Sequence, residues 1–112
     1  MIPGLEDLMR QAQQMSQRMQ QMKQELAKQT VEGSAGGGMV VAVVNGAGQL
    51  QRIDIEPEAI DPAEREMLQD LVVAAINQAQ AAARELMAEK TRELTGGMPL
   101  PGIENLFGGL GP

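Results

Sequence analysis

Leu5, Leu8, Ala12, Met15, Met19, Met22 and Leu26 follow one another at spacings of 3, 4, 3, 4, 3 and 4 residues. Only a helix puts such residues on one line, and a heptad seam held for three repeats calls for a partner helix alongside. Between the seam positions the chain is mostly glutamine, at 11, 13, 14, 17, 20, 21, 24 and 29. Glutamine favours helix and stays hydrated, so these are exposed faces. The seam therefore predicts a helix over residues 4 to about 29. At 1.5 Å per residue it is roughly 37 Å long, more than a compact 112-residue chain covers. Part of it is expected to project. Its methionines read first as core against a second helix, and second as an adaptable surface for a partner protein.

Thr30–Ala35 reads as a strand ended by Gly36-Gly37-Gly38. Residues 39–44 are dense in valine, a central strand by composition. Asn45-Gly46 follows at once as a hairpin signal, with Gly48 close behind. Residues 49–56 alternate with period two, and Pro57 stops them. The middle is thus a two- or three-stranded antiparallel meander. Asp61-Pro62-Ala63-Glu64 spells a helix start, with a capping acid, proline in the first turn and glutamate three residues after the cap. That helix runs to about Leu94, before Thr95-Gly96-Gly97. Its apolar stripe is broad at first (Met67, Leu68, Leu71, Val72, Ala75, Ile76), then thins to Ala75, Ala79, Ala82 and Leu86. The broad part is expected on the sheet and the thin part against the first helix. The fold class is α+β: one α-β-β-β-α domain over residues 1–95, then a Gly/Pro-rich flexible tail over 96–112 with Ile103, Leu106 and Phe107 as apolar anchors.

The meander has two faces. With a two- or four-residue hairpin loop, Val40, Ala42, Val44, Ile53 and Ile55 share one, the natural floor for the last helix. The other holds Met39, Val41, Val43 and Leu50 beside Arg52, Asp54 and Glu56. Four apolar residues on a solvent-facing side predict a homodimer through the sheets, with Met39, Val41, Val43 and Leu50 at the interface.

Composition narrows the function. The chain has one Phe and no Trp, Tyr, His or Cys. That excludes Cys/His zinc sites, cysteine nucleophiles and histidine-based triads. No nucleophile–base pair can be assembled from Ser16, Ser34 and the threonines, so a non-enzyme is expected. No cofactor, metal or small-molecule substrate is expected either. Asp54, Glu56 and Glu58 read as solvated positions opposite Ile53 and Ile55, not as a cation site. Gly33-Ser34-Ala35-Gly36-Gly37-Gly38 lacks the lysine and following helix of a phosphate loop. No apolar run is longer than that of residues 39–44, which is too short to span a membrane. No secretory signal is expected.

Fifteen acids against nine bases give a net charge of −6, which argues against broad phosphate binding. The charge is unevenly spread. Residues 1–30 carry Arg10, Arg18, Lys23 and Lys28 against Glu6, Asp7 and Glu25, the only local basic excess. If the long helices lie antiparallel, Arg10 and Arg18 approach the region of Arg84, Lys90 and Arg92 at a projecting tip.

Leu8-Met9-Arg10-Gln11-Ala12-Gln13-Gln14-Met15 and Val31-Glu32-Gly33-Ser34-Ala35-Gly36-Gly37-Gly38-Met39-Val40 are followed by Val44-Asn45-Gly46. Then come Ile53-Asp54-Ile55-Glu56-Pro57, Glu66-Met67-Leu68-Gln69-Asp70-Leu71-Val72, Ala75-Ile76-Asn77 and Glu89-Lys90, and last Thr95-Gly96-Gly97-Met98 and Leu100-Pro101-Gly102. In this order the motifs resemble the YbaB/EbfC family of bacterial nucleoid-associated proteins. The resemblance implies a cytoplasmic, nucleoid-associated homodimer joined through its sheets, with projecting helix pairs. It also implies binding to double-stranded DNA without cofactor or catalysis. Bases at positions 10, 18 and 90 carry over, so Arg10, Arg18 and Lys90 are the expected contacts; Lys23, Lys28, Arg84 and Arg92 are this chain's own, weaker candidates. Val41 stands where members often carry lysine, and Ala81-Ala82 where a basic pair is common. Few phosphates are then neutralised per protomer, and binding is expected to be modest and salt-sensitive. The alternative from another class is a protein-interaction module whose Met/Gln-rich arm or tail docks a partner protein.

Overall fold

The computed structural model of the chain describes residues 4–94 and 96. Helix α1 (Leu5–Lys28) leads into strands β1 (Thr30–Ala35), β2 (Val40–Asn45) and β3 (Leu50–Ile55). Two 3-10 turns, Pro57–Ala59 and Pro62–Glu64, precede helix α2 (Arg65–Leu94). The strands form one antiparallel sheet in the order β1-β2-β3. Apart from Gly96, the segment expected to be a flexible tail lies outside the described residues.

Register sets the faces as the alternation predicts. Val40 lies opposite Ile55 and Ala42 opposite Ile53, while Val41 faces Asp54 and Val43 faces Arg52. Val40, Ala42 and Val44 are fully buried and form the core with Ala75, Ala79 and Ala83 of α2, flanked by Val31, Ala35, Ile53, Ile55, Leu68, Leu71, Val72 and Ile76. Each buried valine contributes about 1.5–3 kcal/mol.

One expectation about α2 is overturned. Ala79, expected in the thin seam against α1, lies on the sheet in line with Ala75 and Ala83. The reason is Gly33 in β1, where an added Cβ would collide with the backbone of Ala79 and Ala75. A strand glycine beneath helical alanines lets the two backbones approach where larger side chains would hold them apart. Leu86 does meet α1: with Met87 and Leu94 it packs around Met19, Met22 and Leu26.

The β2–β3 hairpin anchors α1. Asn45 Oδ1 accepts hydrogen bonds from the backbone N–H groups of Ala47 and Gln49, at 3.0 and 2.9 Å. Gly46 does not take the left-handed conformation that an Asn-Gly turn suggests. Its role is close approach: its N–H donates to the carbonyls of Leu26 (2.8 Å) and Gln29 (2.9 Å), satisfying an acceptor that the last turn of a helix leaves open. A Cβ there would lie 2.5 Å from the Leu26 oxygen. At the other end of the sheet, Gly36, Gly37 and Gly38 all have left-handed φ (65°, 66° and 93°), a run that side chains disfavour.

Asp61 caps as predicted, Oδ1 accepting from the Ala63 N–H at 3.0 Å. What it starts is the short Pro62–Glu64 turn, and α2 proper begins at Arg65. A bulge between Val43 and Val44 pairs Leu50 with Val44, out of the row formed by Val43 and Arg52. The outer sheet face is less bare than its sequence suggests. Val43 is only 5% exposed, and Met39 and Val41 are half-buried; Leu50 is 45% exposed. Glu32 and Arg52 stand on either side of Val43 in register, where their long stems can lie over it. Arg52 Nε donates to Asp54 Oδ2 at 2.9 Å. That bond, then the Asp54 charge, and lastly Glu32 raise the Arg52 pKa.

Candidate nucleic-acid interface

Both long helices leave the sheet at the same turn. Leu26 of α1 is bound by Gly46, and Gln80 of α2 donates through Nε2 to the Gly48 carbonyl at 3.4 Å. From there α2 runs 14 residues to Leu94, about 21 Å, while α1 runs back 21 residues to Leu5, about 31 Å. The helices are therefore antiparallel, and α1 outreaches α2. Residues 5–14 of α1 are all exposed, Leu8 at 64% and Met9 at 60%, although their seam continues in phase from Met15 to Leu26. The expected helix–helix seam is formed only over its C-terminal half.

The candidate bases fall on different faces of this arm. Arg10 and Lys28 are 18 residues apart, five whole turns, and share a line on α1 opposite Met22 and Leu26. Both are exposed. Arg10 lies 3.7 Å from Asp7, one turn earlier. Arg18 is exposed about 80° round the helix from that line. Lys90 sits four residues from both Leu86 and Leu94, so it lies on the α2 face that meets α1. It is half-buried, with Nζ 3.9 Å from Glu93 Oε2. Lys23 is exposed on α1, and Arg84 and Arg92 on α2. The structure thus gathers these bases at one end of the molecule without placing Arg10, Arg18 and Lys90 on one face.

Acids gather at the opposite end. Residues 56–70 hold Glu56, Glu58, Asp61, Glu64, Glu66 and Asp70 against Arg65 alone. The Glu56 N–H bonds to the Met39 carbonyl at 2.9 Å, and Leu71 lies beside Gly36. This acidic end is therefore at the Gly36–Met39 turn, across the sheet from the arm. Arg65 and Lys90 are separated by 25 helical residues, about 37 Å. Among the described residues no group of three or more acids is placed to hold a metal ion, and no helix is long and apolar enough to cross a membrane.

One feature of α1 carries no net charge. Gln14, Gln17 and Gln21 lie between Arg10 and Lys28 on the same line, with Gln24 close beside it. The signal was the spacing of 4, 3, 4 and 7 residues from Arg10 to Lys28, which composition alone reads as solvated filler.

A family model described as the YbaB/EbfC DNA-binding family matches residues 1–98. The chain belongs to that family. A nucleoid-associated protein of Saccharopolyspora erythraea is 49% identical over 110 residues, covering 90% of this chain and 95% of its own length. One from Caldanaerobacter subterraneus is 46% identical over 100 residues, covering 89% and 90%. Another, from Gluconacetobacter diazotrophicus, is 48% identical over 98 residues, covering 88% and 92%. The crystal structure of an uncharacterized Helicobacter pylori protein matches with a TM-score of 0.72 over 81% of this chain and 96% of its own. At 21% identity that likeness shows a shared YbaB-type fold.

Proposed function

We propose that this protein binds duplex DNA as a homodimer, without catalysis and with little sequence preference, and serves nucleoid organisation or gene regulation in the bacterial cytoplasm. The observation that carries the reading is the match of nearly the whole chain to a DNA-binding family whose relatives are called nucleoid-associated. The separation of charge supports it. At physiological ionic strength the Debye length is about 8 Å, far shorter than the distance between the acidic end and the tip of the arm. The six acids of residues 56–70 are then largely screened where the bases lie. Arg10 and Arg18 are the principal phosphate contacts, with Lys90 at the seam. Lys23, Lys28, Arg84 and Arg92 contribute less. Few cations per protomer give modest affinity, with roughly 0.9 units of log–log salt slope per phosphate neutralised.

Fluorescence anisotropy with a labelled duplex tests the reading. Binding at about 50 mM salt should weaken steeply as salt rises, and replacing Arg10 and Arg18 by alanine should weaken it for all sequences alike. No binding by the intact protein at that salt overturns it. Dimerisation through Met39, Val41, Val43 and Leu50 is tested by light scattering: twice the chain mass is expected, and Val41→Asp should shift it toward monomer. The exposed Leu5, Leu8 and Met9 favour a second reading, a docking arm for another protein. In that case a protein partner survives nuclease treatment in pull-downs, and Arg10 and Arg18 are dispensable.

A further inference from the structure

We propose that duplex DNA is held along the outer face of α1, by a strip running Arg10, Gln14, Gln17, Gln21 and Lys28, in which neutral glutamine amides supply contacts that a basic protein would take from lysine. This rests on the DNA-binding reading above and specifies its surface. The five residues stand at steps of 4, 3, 4 and 7, within about 40° of one line on the helix. That line faces away from Met22 and Leu26, which are buried against α2, and all five residues are exposed.

Between Arg10 and Lys28 the only acid of α1 is Glu25, about 60° off the line. The strip is roughly 27 Å long, about eight base pairs of duplex at 3.4 Å each. The side chains of Gln14, Gln17, Gln21 and Lys28 make no hydrogen bond or ion pair among the described residues. Their donors are available without breaking an internal contact. Each glutamine amide can donate to phosphate or sugar oxygens, the contacts that position a protein on a duplex and carry no sequence information.

A neutral donor displaces no counterion. It adds affinity that salt does not remove, while the cations, Arg10 and Lys28 at the strip's two ends among them, set the salt slope. Affinity and slope should therefore separate, which a purely cationic surface does not allow.

The test is anisotropy on the full chain with a labelled duplex of arbitrary sequence, across about 25–200 mM salt. Alanine keeps the helix intact, and circular dichroism checks that it does. The triple variant Q14A/Q17A/Q21A should weaken binding about tenfold or more at every salt with an unchanged slope. R10A/K28A should lower the slope by about 0.9 for each cation removed. Q11A/Q20A, on other faces of α1, should bind like the parent chain. If the parent binds and the triple variant binds equally well, the strip is wrong and DNA binding stands. The strip is also wrong if Q11A/Q20A loses as much as the triple variant, or if the triple variant changes the slope. A parent chain that does not bind at the lowest salt removes the underlying reading itself.

Discussion

Helix α2 makes two contacts of opposite character. Along Ala75, Ala79 and Ala83 it lies on the sheet with scarcely a side chain between the backbones, held to one distance by Gly33. Along Leu86, Met87 and Leu94 it meets α1 through long, flexible side chains, and only Met22 and Leu26 of that cluster are buried. A contact made by omitting side chains has one geometry, because nothing in it can repack. A methionine–leucine contact adapts. Stability is thereby concentrated at the sheet end, and α1 is carried outward on a looser attachment that stops before its N-terminal half. Charge follows the same division only at the sheet turn, where residues 56–70 carry six acids against Arg65, while the arm mixes the candidate bases with Glu6, Asp7, Glu25, Glu85, Glu89 and Glu93.

The sharpest way to break the distinction is Gly33→Val. With no room above β1, α2 must lift, and a loss of at least about 3 kcal/mol is expected across the whole domain in a thermal melt. A melt within 1 °C of the parent's would mean that the helix–sheet distance is not set by this glycine. Leu26→Ala comes next, at about 2–4 kcal/mol. Here the effect should be uneven: hydrogen exchange rises in residues 19–28 and 86–94 while β2 and residues 75–83 hold their protection. Equal loosening of both regions would make the two contacts one core. Asn45→Ala should cost about 1–2 kcal/mol by leaving the Ala47 and Gln49 amides without their acceptor. Smallest is Leu8→Ser, expected within about 0.5 kcal/mol because Leu8 touches no core. A larger loss in denaturant titration would reveal a cover over the projecting half of α1.

Much of this was legible beforehand, for reasons tied to particular residues. Heptad spacing from Leu5 to Leu26, the Asp61-Pro62 start and the Val40/Ala42/Val44 alternation located the elements and their faces. Periodicity says which residues share a face but not what lies opposite, so Ala79 was assigned to the wrong partner. The clue is Gly33, which sits inside a strand as a gap cut for α2. The burial of Val43 at 5% exposure is not legible from alternation, which places it on the outward face of the sheet. For the site, counting charge by segment found the basic excess of α1 but not its faces. Lys90, four residues from Leu86 and from Leu94, was already on the inner side of its helix.

Hydrogen–deuterium exchange of the full chain with and without duplex DNA tests the division between the two ends most directly. Free protein should show strong protection in β2 and residues 75–83 and rapid exchange over residues 5–14. Duplex DNA should add protection on α1 and leave residues 56–70 unchanged. Protection gained over residues 56–70, with α1 unaffected, would contradict it.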